Sequence, residues 1–160
     1  MIKLLNPYEK LPGYCCIGCS KNNPHGLQLD FWFDHQNKEV ITKWNPKNHL
    51  QGYVNVLHGG IQATILDEIA SWVVNVVLET GGVTSKLSIR YKKPVMVNSG
   101  ELTAKARIIS HEKRLANVHC QLFDSNSQLC AEATVQYFVY PKEIAREKLG
   151  YPGVEAFFNS

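Results

Sequence analysis

The sequence predicts an α+β protein in which a curved antiparallel β-sheet wraps around one long central helix. The segment from about His58 to Thr80 is apolar around most of a helical circumference, so a helix there must be buried on nearly every side. Two strand patterns precede this segment and four follow it without another helix between them, which favours an antiparallel sheet. Alanines on the inward faces of the later strands leave room for the helix to lie close.

Two strands are predicted before the helix. Apolar residues recur at every second position over residues 27–33 and again over residues 40–44, which is the period of a half-buried strand. Asn37-Lys38 is interpreted as the turn between them, and Pro46 stops the second strand. We therefore expect the two strands to pair as a hairpin.

The helix should end at Gly81-Gly82, because glycine is a common helix stop. Alternating apolar residues then predict four strands, at about residues 84–92, 102–109, 115–123 and 129–140. Turn-forming residues separate them at 98–100, 111–114 and 124–127. A short tail helix is expected after Pro141.

The length and composition suit one domain. The chain has 160 residues, 44% of them apolar, which is enough for a single core. Proline and glycine are dense in residues 1–26, which predicts a strap of loops and short turns lying over the domain. We therefore divide the chain into a strap (1–26), a sheet-and-helix domain (27–141) and a C-terminal tail with a short helix (142–160).

The charge pattern makes nucleic acid a poor candidate partner. The 17 Lys and Arg residues are scattered among 14 acidic residues, and the net charge is only +3, so there is no continuous basic stripe. The N-terminus lacks the pattern of an export signal, and no stretch reaches the roughly 20 apolar residues of a membrane span. We expect a cytoplasmic protein with no membrane partner.

The five cysteines are expected to be free thiols, since the chain lacks an export signal and their number is odd. Cys120 and Cys130 lie in strand patterns and are interpreted as small buried hydrophobes. Cys16 and Cys19 form a C-x-x-C pair with Cys15 beside it, which raises a zinc site as an alternative. No second pair follows at metal-finger spacing, so we expect no metal and interpret the segment as a turn packed on the domain.

The few polar residues of the helix fall largely on one stripe. At about 100° per residue, the stripe that includes Gly60 contains Thr64, Asp67, Glu68, Ser71 and Asn75. One interpretation is that Asp67 and Glu68 simply meet solvent at the helix margin. Because the rest of the helix is almost wholly apolar, we expect instead that the stripe faces a polar partner.

His58-Gly59-Gly60 begins the helix. Glycines allow a ligand or another backbone to approach closely, and free N–H groups at the positive end of the helix dipole suit a developing oxyanion. A tight turn is the simpler explanation of a Gly-Gly pair. The functional interpretation gains weight because Asp67 follows on the same stripe.

The spacing of these groups predicts a dimer. Gly60 and Asp67 are seven residues apart, roughly 10 Å along the axis, whereas an oxyanion donor and a base must both lie about 3 Å from one reacting group. One helix cannot supply both at one carbonyl. Two antiparallel helices related by a two-fold axis can, with Gly60 of one subunit meeting Asp67 of the other.

These residues belong to segments that resemble a known family. The motifs are CIGC at 16–19, NPHGL at 23–27, QGYVNVLHGGIQATILDE at 51–68 and TSKLSIRYKKPV at 84–95. From about Cys16 to Val139 the chain resembles the hotdog-fold acyl-CoA thioesterases of the phenylacetyl-CoA type. The resemblance implies a five- or six-stranded antiparallel sheet around the helix, homodimers or homotetramers, and hydrolysis of acyl-CoA without metal or organic cofactor.

The resemblance also implies a role for each site residue. The N–H of Gly60, beside Gly59, would polarise the thioester carbonyl, and Asp67 of the neighbouring subunit would act as general base or nucleophile. Thr84 would position the water and His58 would orient the loop. Coenzyme A would follow Tyr91, Lys92, Lys93, Lys113 and Arg114, whose cations suit phosphates. A solvated surface is the alternative for those cations.

Three other functions fit the sequence less well. A non-catalytic hotdog module that binds acyl-CoA would lack the acid or carry a fused DNA-binding segment, and neither is seen. A hotdog dehydratase or hydratase uses a catalytic histidine in a local pattern different from that of His58. A purely structural dimer would leave Asp67 without a task.

Overall fold

In the computed structural model, which describes residues 1–158, a seven-stranded sheet packs around one long helix. The strands are β1 (Ile2–Lys3), β2 (Phe31–Asp34), β3 (Glu39–Trp44), β4 (Gly82–Tyr91), β5 (Leu102–Glu112), β6 (Leu115–Phe123) and β7 (Leu129–Val139). The helices are α1 (Gly59–Val77) and α2 (Lys142–Leu149), with 3-10 helices at Pro7–Lys10, Asn48–Leu50 and Val154–Phe157. The predicted fold class is confirmed.

The sheet has the strand order β1-β2-β3-β5-β6-β7-β4, and every neighbouring pair is antiparallel. The predicted hairpin is confirmed as the pair β2–β3. The resemblance implied five or six strands, whereas the sheet has seven, because Ile2 and Lys3 of the strap add a short strand at the edge of β2. Strands β1 and β4 therefore form the two edges of the sheet.

Helix α1 lies at the centre of the core, with Ile65, Leu66 and Ile69 almost fully buried. The predicted stop at Gly81-Gly82 is wrong, because α1 ends at Val77 and the chain turns at Glu79, whose φ of 56° is left-handed. Gly82 instead begins β4, where a Cβ would lie 2.4 Å from the Phe138 carbonyl oxygen. The close pairing of β4 with β7 therefore needs glycine at this position.

The largest differences from the predicted strand boundaries are at the start of β2 and the end of β5. Strand β2 starts only at Phe31, because Gln28 has a φ of 54° that interrupts the extended backbone before it. Strand β5 continues to Glu112, so the turn predicted at 111–114 is reduced to the two residues from Lys113, which has a φ of 53°. In both cases a residue with a positive φ sets the boundary.

Strand β4 has an open edge. Within residues 1–158 it pairs with β7 alone, and the side chains of Val83, Leu87 and Tyr91 are 44%, 38% and 50% exposed. A ten-residue edge strand with exposed apolar side chains is a template for pairing with another strand. A second chain could therefore pair with β4 along this open edge.

The predicted tail helix is confirmed as α2, which follows Pro141 directly and is capped at its C-terminal end by Gly150, with a φ of 72°. Asn159 and Ser160, the last residues of the predicted tail, lie outside the described residues. The division of the chain after residues 26 and 141 stays a prediction. Neither helix of the described chain is long and apolar enough to cross a membrane.

Candidate active site

The Asp67 carboxylate is held by two hydroxyl groups. Thr84 Oγ1 donates a hydrogen bond to Asp67 Oδ1 at 2.8 Å, and the Tyr137 hydroxyl donates to the same oxygen at 3.0 Å. The Tyr137 hydroxyl also lies 2.9 Å from the Asp67 carbonyl oxygen. Within residues 1–158 no hydrogen bond reaches Asp67 Oδ2, so one carboxylate oxygen is fixed and the other is available to a reactant.

A bulge in β4 accompanies this placement of Thr84. Thr84 lies opposite Tyr137 in the strand pair, and the register shifts immediately after it, which leaves Ser85 without a partner in the ladder. The Ser85 hydroxyl is instead 2.9 Å from Gln136 Oε1. An extra residue of this kind bends a strand and re-aims its side chains. Two paired strands thus direct their hydroxyls to the single carboxylate of Asp67.

Tyr137 is a site residue that the sequence analysis missed, because it was interpreted only as part of a strand. Its side chain is 3% exposed and occupies an inward position in a row otherwise made of apolar residues. A buried tyrosine hydroxyl usually needs a polar partner, and that was the available signal. Burial, followed by the charge of Asp67, raises the pKa of Tyr137 above its usual range, so it stays a protonated donor at neutral pH.

Replacing Tyr137 by phenylalanine should lower the free energy of unfolding by about 1.5–3 kcal/mol, because the charged carboxylate of Asp67 loses the hydrogen bond that the Tyr137 hydroxyl donates. Tyr140→Phe is the matched control, since the Tyr140 hydroxyl makes no hydrogen bond within the described residues. Urea denaturation of both variants measures the difference. Equal effects of the two substitutions would show that the bond to Asp67 contributes nothing.

The imidazole of His58 caps the start of α1. His58 Nδ1 accepts a hydrogen bond from the Gly60 N–H at 2.9 Å, and the His58 carbonyl accepts from Ile61 at 3.0 Å and Gln62 at 3.2 Å. The Gly60 N–H, expected from the sequence to be free, is therefore engaged in this conformation. The Gly59 N–H has no acceptor in the part of the chain that the structure describes, so it is the open donor at the helix start.

Replacing His58 by alanine should destabilise the protein by about 1 kcal/mol, the usual loss when a side-chain N-cap is removed. His58→Asn should retain most of that stability, because asparagine is itself a favoured N-cap whose oxygen can accept from the Gly60 N–H. Thermal and chemical denaturation of the pair provide the measurement. If asparagine is as destabilising as alanine, the imidazole stabilises the loop by contacts other than the cap.

Tyr91, the last residue of β4, holds the start of α1 in place. Its hydroxyl donates to the Gly59 carbonyl at 2.7 Å, and a Cβ on Gly59 would lie 3.4 Å from the Tyr91 ring. The resemblance implied that Tyr91 lies on the path of coenzyme A. The structure places it directly beside the Gly59-Gly60 backbone, so it belongs to the same group as the candidate oxyanion donors.

The predicted cations form two separate groups at opposite ends of the sheet. The Lys92 ammonium is 3.4 Å from Glu132, and the Lys93 ammonium is 2.9 Å from Asp124. Lys113-Arg114 instead line an open cavity of about 810 Å³ at the β5–β6 turn. Strand β7 runs between the two groups, which separates them by up to about 30 Å within one chain. One chain therefore does not bring these cations together.

The polar stripe predicted on α1 faces two different surroundings. Asp67 turns towards β4 and β7, whereas Glu68 turns towards the strap, where Cys16 Sγ lies 3.4 Å from Glu68 Oε1. Burial, followed by the neighbouring Cys16, raises the pKa of Glu68 to about 7. The expectation of one polar partner for the whole stripe is therefore wrong, because the helix is enclosed by the sheet on one side and by the strap on another.

Within one chain the candidate site consists of two halves. One half is the Gly59-Gly60 backbone with Tyr91, and the other is Asp67 with Thr84 and Tyr137. The two halves lie about two helical turns apart, roughly 10 Å along α1. Both halves border the open edge of β4, so the structure places them together on one surface without bringing them to one reacting atom.

Comparison with known proteins points to one family. A family model described as the thioesterase superfamily matches residues 54–131, which include the start of α1 and Asp67. A candidate esterase of Saccharolobus solfataricus is 35% identical over 99 residues, which make up 61% of this chain and 65% of the relative. The match therefore spans less than two thirds of that relative's length.

Solved structures of thioesterase proteins share the fold. A hypothetical thioesterase protein with coenzyme A from Streptococcus pneumoniae TIGR4 has a TM-score of 0.61 and 25% identity over 65% of this chain and 80% of its own. A phenylacetic acid degradation-related protein from Ralstonia eutropha JMP134 has a TM-score of 0.63 and 20% identity over 71% of this chain and 86% of its own.

Proposed function

Since residues 54–131 of this hotdog-fold chain match the family model of the thioesterase superfamily, which the sequence resembles, we propose that the protein hydrolyses acyl-CoA thioesters to a free acid and coenzyme A. The observation that carries the proposal is the Asp67 carboxylate, fixed at one oxygen by Thr84 and Tyr137 and open at the other. The coenzyme A described for the Streptococcus pneumoniae protein supports CoA as the carrier. Such a substrate is consistent with the expected cytoplasmic location.

A two-fold axis would join the two halves of the site. Thr84 lies beside Asp67, and Tyr91 lies beside Gly59, so β4 runs along α1 in the opposite direction. An axis placed midway between Gly60 and Asp67 is therefore also midway between Thr84 and Tyr91. One operation brings Gly59-Gly60 and Tyr91 of one subunit to the partner's Asp67 and the partner's Thr84. The dimer is the unit that this arrangement requires, and tetramers would be built from it.

The exposed surface around that axis supports the dimer. Leu87 lies near the midpoint of β4, with 38% of its side chain exposed, on the strand that has no neighbour on one side. Val83 and Tyr91, on the same strand, are 44% and 50% exposed. Large apolar side chains grouped on one surface of a chain mark an interaction site. A second copy seated on β4 would cover this edge.

In the proposed reaction, the thioester carbonyl oxygen accepts a hydrogen bond from the N–H of Gly59. The N–H of Gly60 donates a second one once the His58 imidazole turns aside. Water attacks the carbonyl carbon while Oδ2 of the partner's Asp67 takes its proton. The tetrahedral intermediate then collapses, the carbon–sulfur bond breaks, and the CoA thiolate takes the proton back from the partner's Asp67, which restores the carboxylate. A thioester is activated enough for these groups to suffice.

Asp67 could instead attack the carbonyl itself and form an anhydride that water then cleaves. The open Oδ2 suits either role, because it carries no hydrogen bond within residues 1–158. A single turnover in water labelled with oxygen-18 separates the two routes. Label in the Asp67 carboxylate shows an anhydride that water opened at the Asp67 carbonyl carbon, whereas a general base leaves the label in the released acid alone.

The two-fold axis also bears on the coenzyme A path. In an antiparallel arrangement of the two β4 strands, the end with Tyr91, Lys92 and Lys93 lies next to the opposite end of the partner's sheet. The partner's Lys113 and the partner's Arg114 are at that end, beside the β5–β6 turn. Cations that are far apart in one chain would then approach each other across the dimer. We propose that they bind the phosphates of coenzyme A together.

A panel of acyl-CoA esters with aromatic, short and long acyl groups tests the proposed function. Loss of thioester absorbance is the preferred readout, because the exposed Cys15 thiol would itself react with a thiol dye. We expect hydrolysis of at least one class by the folded wild-type protein. Tight binding of acyl-CoA without hydrolysis would identify the alternative, a non-catalytic acyl-CoA-binding module.

A further inference from the structure

The strap places two cysteines against a carboxylate that the proposed reaction does not use. The Sγ atoms of Cys16 and Cys19 and a Glu68 carboxylate oxygen all lie within 4.8 Å of one another. Cys16 Sγ is 3.4 Å and 3.5 Å from the two Glu68 oxygens. Ligand atoms around a tetrahedral zinc ion, with Zn–S ~2.3 Å and Zn–O ~2.0 Å, are about 3.5–3.8 Å apart. The three groups are therefore close to the spacing of metal ligands.

The backbone of the strap is shaped around this cluster. The Gly18 N–H donates to Cys16 Sγ at 3.3 Å, and the Gly18 carbonyl accepts from the Leu29 N–H at 3.0 Å, which anchors the turn near β2. A Cβ on Gly18 would lie 2.6 Å from the Glu68 side chain. Glycine at this position lets the C-x-x-C turn lie directly on the carboxylate, and a larger residue would displace the Glu68 side chain.

Further donors hold the second cysteine. The Tyr14 hydroxyl is 3.1 Å from Cys19 Sγ, and the Asn6 amide nitrogen donates to the same sulfur at 3.4 Å. Hydrogen bonds of this kind orient metal ligands from outside the coordination sphere. The strap thus supplies two sulfur atoms, and the groups that direct them, to one point on α1.

The charges around the cluster favour a cation. Within residues 1–158 Glu68 forms no ion pair with a lysine, arginine or histidine. A largely buried carboxylate packed against two thiols has a high desolvation cost unless it is neutralised or paired with a positive charge. A bound divalent ion would supply that charge.

We propose that Cys16, Cys19 and Glu68 bind one thiophilic divalent cation, with zinc the best match to two thiolates and one carboxylate. The cluster borders a cavity of about 220 Å³, also lined by Ser71 and Asn75, from which a water molecule can complete a tetrahedral site. The ion ties the strap to α1 at the residue next to Asp67. The sequence predicted no metal because it offers no second cysteine pair, whereas the third ligand comes from the distant helix.

Metal content and cobalt spectroscopy test this site without any measurement of activity. Full-length protein purified with a reductant and without chelator should contain about one zinc ion per chain. After removal of zinc, titration with Co²⁺ should produce a thiolate-to-cobalt charge-transfer band and the visible bands of tetrahedral cobalt. Cys16→Ser should lose most of the charge-transfer intensity and retain no stoichiometric zinc.

Two further variants keep the test decisive. Cys15→Ser is the matched control, because Cys15 is exposed and adjacent to the site but is not one of its three ligands, so its zinc content should equal that of the wild type. Glu68→Gln keeps both sulfurs and should weaken zinc binding by at least about tenfold in competition with a chromophoric chelator, the lower limit seen even for partners outside the coordination sphere.

Three results would overturn the proposal. The first is folded, reduced wild-type protein that takes up neither zinc nor cobalt. The second is zinc binding that Cys16→Ser and Glu68→Gln leave unchanged. The third is a Cys16–Cys19 disulfide, detected as the loss of two hydrogens by mass spectrometry, in protein that binds no metal after reduction.

Discussion

Replacing Asp67 by asparagine should lower kcat for acyl-CoA hydrolysis by about 10²–10⁴-fold, the range that one positioned acid–base group contributes. The asparagine side-chain oxygen can still accept from Thr84 and Tyr137, so the geometry around residue 67 is kept while the proton acceptor is lost. We expect KM to change little, because Asp67 interacts with the reacting water rather than with the body of the substrate. Steady-state kinetics with the best substrate of the panel give both constants.

Glu147→Gln is the control for the Asp67 substitution. It makes the same carboxylate-to-amide change on an exposed residue of α2 that forms no hydrogen bond or ion pair within residues 1–158. Its kcat should equal that of the wild type. If Asp67→Asn hydrolyses thioesters at the wild-type rate while remaining folded, Asp67 is neither base nor nucleophile.

Replacing Leu87 by lysine should dissociate the dimer and lower the hydrolysis rate by at least about 10²-fold, comparable to the loss of an oxyanion donor. The proposed axis passes beside Leu87, so the two introduced ammonium groups would face each other across the β4 edges, where like charges repel. Each separated chain would keep its two halves roughly 10 Å apart, so it would have no complete site. Sedimentation velocity gives the oligomeric state, and the acyl-CoA assay at the same protein concentrations gives the rate.

Ile109→Lys controls for the introduced charge, because Ile109 is a 53% exposed apolar residue of β5, away from the β4 edge. It should leave both the mass and the rate unchanged. A Leu87→Lys protein that is monomeric but fully active would show that one chain contains a complete site. A variant that stays dimeric would show that β4 is not the interface.

The fold was largely predictable because its main signals are local in the sequence. The nearly all-apolar segment from His58 could only be a buried helix, and the two-residue alternation over 115–123 gave the bounds of β6 directly. The errors lie where one residue adopts a positive φ. Neither Gln28 nor Glu79 is of a type that usually marks such a position, so the boundaries of β2 and α1 were misplaced.

The candidate site was only partly predictable, because several of its contacts join distant segments. The resemblance implied that Thr84 positions the water, whereas its hydroxyl donates to the Asp67 carboxylate itself. The contribution of Tyr137 depends on the strand order, which places β7 beside β4. The engagement of the Gly60 N–H by His58 depends on a side-chain rotamer, which no sequence pattern specifies.

The Cys16 and Cys19 cluster shows the same limit. A search for metal ligands along the sequence looks for a second pair at short spacing, whereas the third group here is Glu68 on α1. The two helix carboxylates also proved to face opposite surroundings although they are adjacent. Only packing of the strap and of the sheet against the helix separates their environments.

Hybrid dimers test most directly whether each active site is shared between two subunits. Gly59→Pro removes the open N–H at the first residue of α1, where proline is tolerated, and His58 already has the extended φ of −58° and ψ of 135° that suits a following proline. Asp67→Asn removes the carboxylate. Each variant alone should form an inactive dimer.

A hybrid with one Gly59→Pro subunit and one Asp67→Asn subunit, isolated through two different affinity tags, contains one doubly altered site and one unaltered site if the halves combine across the interface. We expect it to regain about half of the wild-type activity per dimer. If each chain carries its own complete site, both sites of the hybrid are damaged, and a hybrid as inactive as the two parents would contradict the shared active site.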